Sequence, residues 1–488
     1  MSLVIYNTLT RKKEAFAPMA PPAVKLYVCG VTTYDLCHIG HARCYVAFDT
    51  VQRYLRYSGF DVKMVRNITD VDDKIIARAN ERGVPPKALA DEFIDEMYAD
   101  FAALDIQRAD IEPRVSETIA EIITMVQQLI GNGLAYEVDG DVYFDVHAFP
   151  PYGVLSGRDI EQLKSGARVD VDTRKRNATD FALWKSAKPG EPFWPSPWGD
   201  GRPGWHIECS AMSVKHLGEE FDIHGGGMDL VFPHHENEIA QSHGAHGCAP
   251  VRYWMHNGFV NVDNEKMSKS LGNFFTIRHV LARYHPQTVR LFLLGTHYRN
   301  PINYSDLNLD EAAARITYLY DTLAAVDDAL ASGIDCDGGP IIEESVVEGI
   351  LPGFVQAMDN DFNTPGALGH LSEVLKLANQ VVRMKRKRAG RGRTLRLLRE
   401  RLGEVSSVLG VLNHDAHEAL AALREKAILR AEIDSAQVDG LLERRATARA
   451  EKDWAGADLV RDELAALGVE VMDTPTGTTW RPALGGDR

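Results

Sequence analysis

The stretch VKLYVCGVTTYDLCHIGHARCYVAFDTVQRYL, residues 24–55, decides the fold of the first half of the chain. Its apolar start, Val24–Val28, predicts a β-strand, and the apolar spacing from Ile39 onward predicts a helix. A second apolar strand is expected at Val62–Val65, followed by further helical spacing. This alternation of strand and helix predicts an α/β fold with a nucleotide site at the loop after the first strand.

The alternation is then interrupted by a segment of a different kind. Ser116 is expected to cap a helix, and Asp139-Gly140 is expected to turn a β-hairpin, which together indicate an inserted subdomain. The α/β pattern resumes at a strand around Phe221–Ile223. After about Asn308 the pattern is almost entirely helical, until Val469–Trp480 predicts two short final strands.

The composition excludes several classes of protein. The chain has 488 residues, of which 45% are hydrophobic, so several domains are expected. It contains neither a signal-peptide pattern nor an uncharged apolar run of about eighteen residues, so no membrane span is indicated. Six irregularly spaced cysteines without a secretion signal argue against a disulfide scaffold and favour reduced thiols in a cytoplasm.

The charge distribution bears on nucleic-acid binding. A net charge of −15 disfavours it unless basic residues are gathered locally. They are gathered in the run Arg383–Arg399, which holds nine lysines and arginines and no acid. Backbone phosphates would be natural ligands of this run, although such runs are often only solvated surface.

The tetrapeptide His38-Ile39-Gly40-His41 lies between the first predicted strand and its helix. Unpaired N–H groups at a helix start favour phosphate, and two imidazoles can hydrogen-bond a phosphate group during its transfer. Gly40 lets a nucleotide approach the backbone closely. Taken alone, the tetrapeptide can equally be two surface histidines.

A second short motif, Lys266-Met267-Ser268-Lys269-Ser270, follows the strand-like Gly258–Val262. It precedes a helix that Thr276 is expected to cap. Its lysines are therefore expected on an exposed loop, which can close over a triphosphate or can simply be solvated.

Cys29, Cys209, His234 and Glu238 are candidates for one metal site. His234 and Glu238 are four residues apart and share a face on a helix, and Cys29 ends the first strand, where open α/β sheets bind ligands. Each also has a plain alternative: the cysteines as small core residues, Glu238 as a solvated charge and His234 as a packing or capping residue.

The two short motifs, in this order, resemble the HIGH and KMSKS signatures of class I aminoacyl-tRNA synthetases. Longer blocks resemble cysteinyl-tRNA synthetases over most of the chain: CGVTTYDLCHIGHAR, RNITDVDDKI, GWHIECSAMS, DIHGGGMDLVFPHHENEIAQS and KMSKSLGNF. The resemblance implies a set of zinc ligands (Cys29, Cys209, His234, Glu238), a phosphate-stabilising pair (His38, His41) and two mobile lysines (Lys266, Lys269).

The resemblance also implies a substrate pocket. Thr69 and Trp205 would line the pocket for cysteine, His224 would pack beside it, and Asp229 would approach the ribose of ATP. Each of these four can equally be a packing residue. The run Gly225–Gly227 is either a plain loop or a close contact for adenosine. The expected ATP-binding residues are Gly40, His41, Asp229 and Lys269.

The implied architecture is α/β: a Rossmann-type catalytic domain with an insertion, then a helical bundle and a small mixed anticodon-binding domain. The expected bounds are 1–114 and 201–260 for the halves of the catalytic domain, 115–200 for the connective insertion, 261–310 for the KMSKS and stem-contact module, 311–434 for the bundle and 435–488 for the anticodon-binding domain. The last contains arginines and aromatics suited to stacking on unpaired bases, namely Arg444, Arg445, Arg449, Trp454, Arg461 and Trp480. Trp454 can equally belong to the core.

The implied activity is activation of cysteine by Mg²⁺-ATP and its transfer to the terminal adenosine of tRNA(Cys), with one zinc ion per chain. The enzyme is expected in the cytoplasm, without a membrane, and a monomer is the simplest expectation. Since the insertion looks too small for a hydrolytic editing domain, zinc itself is expected to distinguish cysteine from serine.

The sequence is also compatible with two other functions. A ligase that joins cysteine to an amino sugar in thiol biosynthesis resembles the catalytic half but lacks a long C-terminal part. A non-catalytic zinc- and RNA-binding relative is the other rival. The intact histidines and lysines of the two short motifs argue against it.

Overall fold

The chain alternates strands and helices in its first half and is mostly helical in its second. The structure, a computed structural model, describes residues 2–159, 174–262, 265–266, 275–333, 338–474 and 477–482. The strands are β1 Val4–Asn7, β2 Lys12–Ala15, β3 Ala23–Thr32, β4 Asp61–Thr69, β5 Ala135–Val138, β6 Asp141–Phe144, β7 Phe181–Ser186, β8 Gly201–Pro203, β9 Phe221–Gly227, β10 Val251–Asn257, β11 Val260–Val262, β12 Glu265–Lys266, β13 Ile302–Tyr304, β14 Val469–Thr474 and β15 Gly477–Pro482. The helices are α1 Ile39–Tyr57, α2 Asp73–Arg82, α3 Pro86–Ala103, α4 Ile119–Gly131, α5 Trp205–Leu217, α6 Glu236–His246, α7 Ile277–Arg283, α8 Pro286–Leu294, α9 Asp306–Ala331, α10 Glu344–Met358, α11 Thr364–Arg383, α12 Arg391–Leu409, α13 Ala416–Arg430, α14 Ser435–Ala450 and α15 Trp454–Ala466.

The centre of the catalytic half is a parallel sheet with the strand order β10-β9-β3-β4. The chain crosses from β3 to β4 through α1 and from β9 to β10 through α6, so the two connections leave the sheet centre in opposite directions. Such a reversal opens a crevice at the carboxyl ends of the two central strands, and ligands bind there in open α/β sheets. The predicted Rossmann-type fold is confirmed, and its crevice lies between β3 and β9.

The pairing of β3 with β4 is irregular at one point, between Val28 and Val31. Gly30 lies in this irregularity, and a Cβ atom added to it would stand 1.5 Å from the carbonyl oxygen of Asn67. No side chain fits there, so glycine is required by the close approach of the two backbones. The irregularity directly follows Cys29, the residue that carries the first candidate ligand.

The insertion contains the antiparallel sheet β5-β6-β7-β8. The predicted hairpin is confirmed: Asp139 and Gly140 both have positive φ, as a two-residue type I′ turn requires. The predicted cap is wrong, because α4 begins only at Ile119. Ser116 instead donates its backbone N–H and its hydroxyl to the carboxylate of Asp70 just beyond β4, at 3.0 and 2.5 Å, which ties the insertion to the central sheet.

A buried arginine joins the catalytic half to the helical half. Arg290 of α8 forms a fully buried ion pair with Asp49 of α1 and donates Nε–H to the carbonyl of Leu409, 2.8 Å away at the end of α12. A buried charge is stable only when it is paired and hydrogen-bonded.

Among the described helices, none has the length and apolar character needed to cross a membrane.

Candidate active site and metal centre

Four elements bring the candidate metal ligands to the crevice of the parallel sheet. Cys29 stands near the end of β3, Cys209 in α5, and Glu238 in the first turn of α6. His234 was expected on the same helix as Glu238, but it lies in the short π-helical segment Val231–His235 that leads into α6, after the extended residue Phe232. This segment keeps the four-residue spacing effective, since His234 Nε2 and Glu238 Oε1 are 3.1 Å apart.

The predicted quartet converges. The ligand atoms of Cys29, Cys209, His234 and Glu238 all lie within 4.8 Å of one another, and all four residues are buried. Cys29 Sγ is 3.7 Å from Cys209 Sγ and 3.5 Å from Glu238 Oε1. Two thiols, one imidazole and one carboxylate at this spacing form a possible metal site.

A second set of ligands shares two members with the first. Cys29, His224, His235 and Glu238 also lie within 4.8 Å of one another. His235 Nε2 is 3.3 Å from Cys29 Sγ, and His224 Nε2 is 2.9 Å from Glu238 Oε2. The sequence reading missed His235, although the doubled histidine in the run PHHENE was a signal that it neighbours the site.

The electrostatics of the quartet favour a cation. Burial opposes the thiolate of Cys209, but the hydrogen bond from the Cys29 thiol and the charge of His234 hold its pKa at about 6. Burial likewise opposes protonation of His234, but Cys209 and Glu238 raise its pKa to about 10. The pKa of Glu238 is held well below its usual value by His224 and His234 in spite of burial. Sulfur and carboxylate donors that tend to be anionic thus share a buried space, and such a set of donors fits a divalent cation.

Further histidines surround the quartet in hydrogen-bonded pairs. His235 Nδ1 is 2.8 Å from His256 Nε2, and His256 Nδ1 is 2.8 Å from the hydroxyl of Thr8. On the other side, His206 Nδ1 is 2.9 Å from His234 Nδ1. Burial lowers the pKa of His256 to about 3 and those of His206 and His235 well below the ordinary value, so these three imidazoles are neutral. They can orient the ligands without adding charge.

The residues expected to line the amino-acid pocket lie around the quartet. The ring of Trp205, at the start of α5, is 4.4 Å from that of His234 and remains 38% exposed. Together with His206, Trp205 also lines a cleft of about 770 Å³ that reaches the insertion. His224 stacks on Trp254 at 4.6 Å.

Thr69, at the end of β4, is fixed by a chain of hydrogen bonds that the sequence did not reveal. The hydroxyl of Thr69 donates to Glu208 Oε2 at 3.1 Å and accepts from Asn67 Nδ2 at 3.2 Å. Asn67 Oδ1 in turn accepts from the backbone N–H of Gly30 at 2.7 Å and lies 3.7 Å from Cys209 Sγ. Asn67 therefore connects the irregularity of β3 with both the metal centre and the pocket.

The first short motif forms the start of α1. His38 is the N-cap, and its Nδ1 accepts from the backbone N–H groups of Gly40 and His41 at 3.1 and 3.3 Å. His41 Nδ1 accepts from the backbone N–H of His38, and the two rings stack at 3.6 Å. Because both Nδ1 atoms are acceptors, the proton of each neutral imidazole is on Nε2, where it can be donated. The helix start has no acidic residue in its first turn.

The described residues on either side of the second short motif are held by backbone hydrogen bonds. On one side, β12 pairs with β11 through Lys266 and Asn261. On the other side, the N–H of Ile39 donates to the carbonyl of Phe275 at 3.0 Å, and the N–H of Ile277 donates to the carbonyl of Cys37 at 2.9 Å. Residues 267–274, and with them Lys269, lie outside the described residues. Thr276 caps α7 as predicted, by accepting from the N–H of His279.

The carboxyl end of β9 carries the remaining candidate for ATP. Gly225–Gly227 was expected as a loop or as an adenosine contact. The three glycines are the last three residues of the strand itself. Gly225 is needed for packing, because a Cβ atom there would meet the ring of Phe48 of α1 at 2.3 Å. Asp229 follows in a short helical turn and is exposed at the crevice end of β9.

Three known protein families match successive parts of the chain. Residues 15–314 match the family of class I (C) tRNA synthetase catalytic domains, 353–413 match the DALR domain, and 435–481 match the cysteinyl-tRNA ligase anticodon-binding domain. The cysteine–tRNA ligase of Trichlorobacter lovleyi is 51% identical over 99% of the chain and 100% of its own length. The chain belongs to the cysteinyl-tRNA synthetase family. Another relative, a chloroplastic/mitochondrial cysteine–tRNA ligase of Arabidopsis thaliana, is 51% identical over 99% of the chain and 86% of its own length.

Solved structures share the fold of this cysteinyl-tRNA synthetase at low sequence identity. A methionyl-tRNA synthetase of Mycobacterium tuberculosis, in complex with methionyl-adenylate, aligns with a TM-score of 0.61 and 17% identity over 82% of the chain and 93% of its own. A LeuRS of Agrobacterium radiobacter, in a ternary complex with tRNA, aligns with a TM-score of 0.59 and 12% identity over 84% of the chain and 86% of its own. At this identity the comparison shows the class I fold.

The C-terminal residues expected to meet RNA separate into two groups. Trp480 is buried in the small core with Val438 and Leu464, and Arg445 forms a two-bond ion pair with Asp473. Trp454, for which a core position was the alternative, is 61% exposed at the start of α15. Trp454 is therefore available to a ligand, whereas Trp480 and Arg445 hold the domain together.

Proposed function

We propose that the chain is a cysteine–tRNA ligase. The observation that carries the proposal is that β3 contains Cys29, a member of the buried quartet, and leads by one loop to His38 at the start of α1. A candidate metal site and a helix start suited to phosphate therefore lie at the same end of the sheet. The relatives that match almost the whole chain are cysteine–tRNA ligases, which supports the same activity.

The proposed reaction has two steps. The carboxylate oxygen of cysteine attacks the α-phosphorus of ATP, whose bond to the departing oxygen breaks as pyrophosphate leaves with its Mg²⁺. A hydroxyl of the terminal adenosine of tRNA(Cys) then attacks the activated carbonyl carbon, AMP leaves, and the hydroxyl proton is lost. Neither step needs a covalent bond to the protein, so catalysis is chiefly positioning and charge stabilisation.

We assign the phosphates to the start of α1 and to the lysine motif. His38 and His41 would donate from Nε2 to the phosphate oxygens, since their Nδ1 atoms accept backbone N–H groups. Lys266 and Lys269 would neutralise the charge that develops as pyrophosphate separates. Gly40 would leave room for the nucleotide, and Asp229 would accept from the ribose hydroxyls.

We assign one zinc ion to Cys29, Cys209, His234 and Glu238. A set of two sulfurs, one nitrogen and one oxygen suits zinc better than a hard cation such as Mg²⁺. When bound, zinc would supply a soft centre that holds the substrate sulfur as a thiolate and holds a serine hydroxyl poorly. His224, beside Glu238 Oε2, and His206, beside His234 Nδ1, would fix the orientation of these ligands.

We assign the body of the amino-acid pocket to Thr69 and Trp205, with His224 behind it. Trp205 is partly exposed next to His234, so its ring would cover the substrate from the cleft side. Thr69 has its hydroxyl committed to Glu208 and Asn67, so its methyl group would be the part that meets the substrate.

The proposal is tested by measuring two activities in order. The first is cysteine-dependent exchange of pyrophosphate into ATP, and the second is transfer of the activated cysteine to tRNA(Cys) or to an amino sugar. Exchange followed by charging of tRNA is expected. Transfer to the amino sugar alone would identify the rival ligase, and no exchange at all, with zinc and tRNA still bound, would identify the non-catalytic relative.

A further inference from the structure

The basic run Arg383–Arg399 forms the last residue of α11, the turn to α12 and the first half of α12. Its members are not equivalent in the structure. Arg391 is buried and donates to the carbonyls of Val381 and Val382 at 2.9 and 2.5 Å, so it closes the end of α11. Arg399 pairs with Asp327 of α9. These two arginines serve the bundle itself.

The turn between the helices is different. Lys385, Lys387 and Arg388 are exposed, and in the described part of the chain their side chains make neither a hydrogen bond nor an ion pair. Arg393 is also exposed, in the first turn of α12, where the helix dipole disfavours a cation. These positive charges do not stabilise the bundle, so they are available to an anionic ligand from outside.

A groove of about 430 Å³ continues from the turn along the bundle. It lies between α9 and α11, and Arg383 and Lys376 line it two helical turns apart. Tyr318, 48% exposed, and Asn379, which donates to its hydroxyl at 3.1 Å, form another part of the lining. Because Arg383 both ends α11 beside the turn and lines the groove, the cations of the turn and those of the groove adjoin one another and are called the strip below.

The strip runs toward the anticodon-binding domain. Asp321 also lines the groove. Burial raises the pKa of Asp321, and the positive charge of Arg481, in β15 of the anticodon-binding domain, acts against that rise. Arg424 of α13 lies over the ring of Trp480 of β15 at 4.5 Å. A molecule that follows the strip would therefore reach the domain that carries Trp454.

We propose that the strip formed by Lys376, Arg383, Lys385, Lys387 and Arg388 binds the phosphate backbone of the tRNA between its anticodon and its acceptor end. The inference rests on the proposed function, which supplies the RNA. On a chain of net charge −15, most of the surface repels a polyanion, so a local cationic strip decides where the backbone can lie. Exposed amines and guanidinium groups without partners are suited to phosphates and carry no base specificity.

The test compares three variants of the full-length enzyme over a series of salt concentrations. The first is the triple variant Lys385→Gln, Lys387→Gln and Arg388→Gln. Each phosphate contact contributes about 0.7 to 0.9 to the slope of log affinity against log salt, so the slope should flatten by roughly two to three. At low salt the affinity for tRNA(Cys) should fall by about tenfold or more, and pyrophosphate exchange should stay at the wild-type rate.

Two controls separate a local contact from general effects. A charge-retaining triple variant, with Lys385→Arg, Lys387→Arg and Arg388→Lys, should keep the wild-type slope. A distant triple variant, Lys12→Gln, Arg78→Gln and Lys87→Gln, removes the same charge from exposed positions of the catalytic half and should also keep it.

The outcomes distinguish the inference from the function on which it rests. An unchanged slope in the first variant, or an equal loss in the distant variant, would overturn the strip. So would a variant that binds tRNA normally but loses binding to vesicles of phosphatidylserine, because the strip would then face a membrane. If the wild-type enzyme shows no cysteine-dependent exchange, the proposed function fails, whatever the slope.

Discussion

Arg278 offers the sharpest test of how the two ends of the nucleotide site are held together. It is the second residue of α7. It directly follows residues 275–277, whose backbone forms hydrogen bonds with Cys37 and Ile39 at the start of α1. Its Nε donates to Asp100 Oδ1 of α3 at 2.9 Å, and it also pairs with Glu96. Replacing Arg278 by glutamine releases α7 from α3 and so loosens one end of the lysine loop.

The size of the effect follows from burial. Asp100 is 3% exposed and its Oδ2 has no hydrogen-bond partner among the described residues, whereas Arg278 is 39% exposed. Breaking a fully buried pair costs about 3–5 kcal/mol, but screening at the exposed arginine reduces this to about 1–2 kcal/mol. If that free energy holds the loop for ATP, kcat/KM for ATP should fall by roughly tenfold, since 1.4 kcal/mol corresponds to a factor of ten.

The assay is pyrophosphate exchange with ATP and cysteine varied separately, alongside zinc analysis and thermal unfolding. Zinc content and the KM for cysteine should stay at wild-type values. Arg283→Gln is the matched control, because Arg283 lies on the same helix and pairs with the exposed Asp306. A similar loss in both variants, or an unchanged dependence on ATP, would refute the reasoning.

The pH dependence of the Arg278 variant is a second readout. Burial raises the pKa of Asp100, and Arg278 acts against that rise. Without Arg278 the pKa should rise further, so the folded state binds a proton more tightly than the unfolded state. Such a group stabilises the fold at pH values below its unfolded pKa, and this stabilisation is lost as the pH rises through the folded pKa. The variant should therefore be closest to wild-type stability in acid, and a pH-independent difference would contradict the assignment.

The remaining predictions concern the metal centre, the loop and the modular design. Cys209→Ser should lower bound zinc below one ion per chain and weaken cysteine binding while ATP binding persists, as metal analysis and ligand titration would show. Gly30→Ala should cost about 1–3 kcal/mol in chemical unfolding and should also lower zinc content, because the added methyl group would strike the backbone beside Cys29. Lys269→Ala should slow adenylate formation in single-turnover assays without changing cysteine affinity. Deletion from Ser435 onward should spare pyrophosphate exchange but impair charging of tRNA, and equal loss of both would contradict separate modules.

The sequence predicted the parts of the site that are encoded by short spacings. The helix start at His38 and the four-residue spacing of His234 and Glu238 each depend on neighbours within one turn of chain, so local reading identified them. The quartet as a whole came from resemblance, because nothing in the spacing of Cys29 and Cys209 shows that they meet.

Several contacts that the sequence did not predict are long-range or depend on packing. Thr8 contacts His256 because the backbone N–H of Thr8 donates to the carbonyl of Trp254 in the edge strand β10. The hydrophobic periodicity of the sequence does not predict this contact. The basic run appeared uniform in the sequence, but burial divides it between Arg391, which closes a helix, and Lys387, which faces solvent. Burial depends on the packing of helices distant in sequence, which charge patterns do not record.

The insertion between β4 and β9 determines when the metal centre can form during synthesis. Cys29 and Glu238 are 209 residues apart, and a ribosome that adds about 5–20 residues per second needs roughly 10–40 s to pass from one to the other. Until Cys209 is added, 180 residues after Cys29, β3 and β4 can pair, but the thiol of Cys29 has no partner from the proposed quartet. The proposed zinc site can therefore be completed only late in synthesis, when most of the catalytic half is already part of the growing chain.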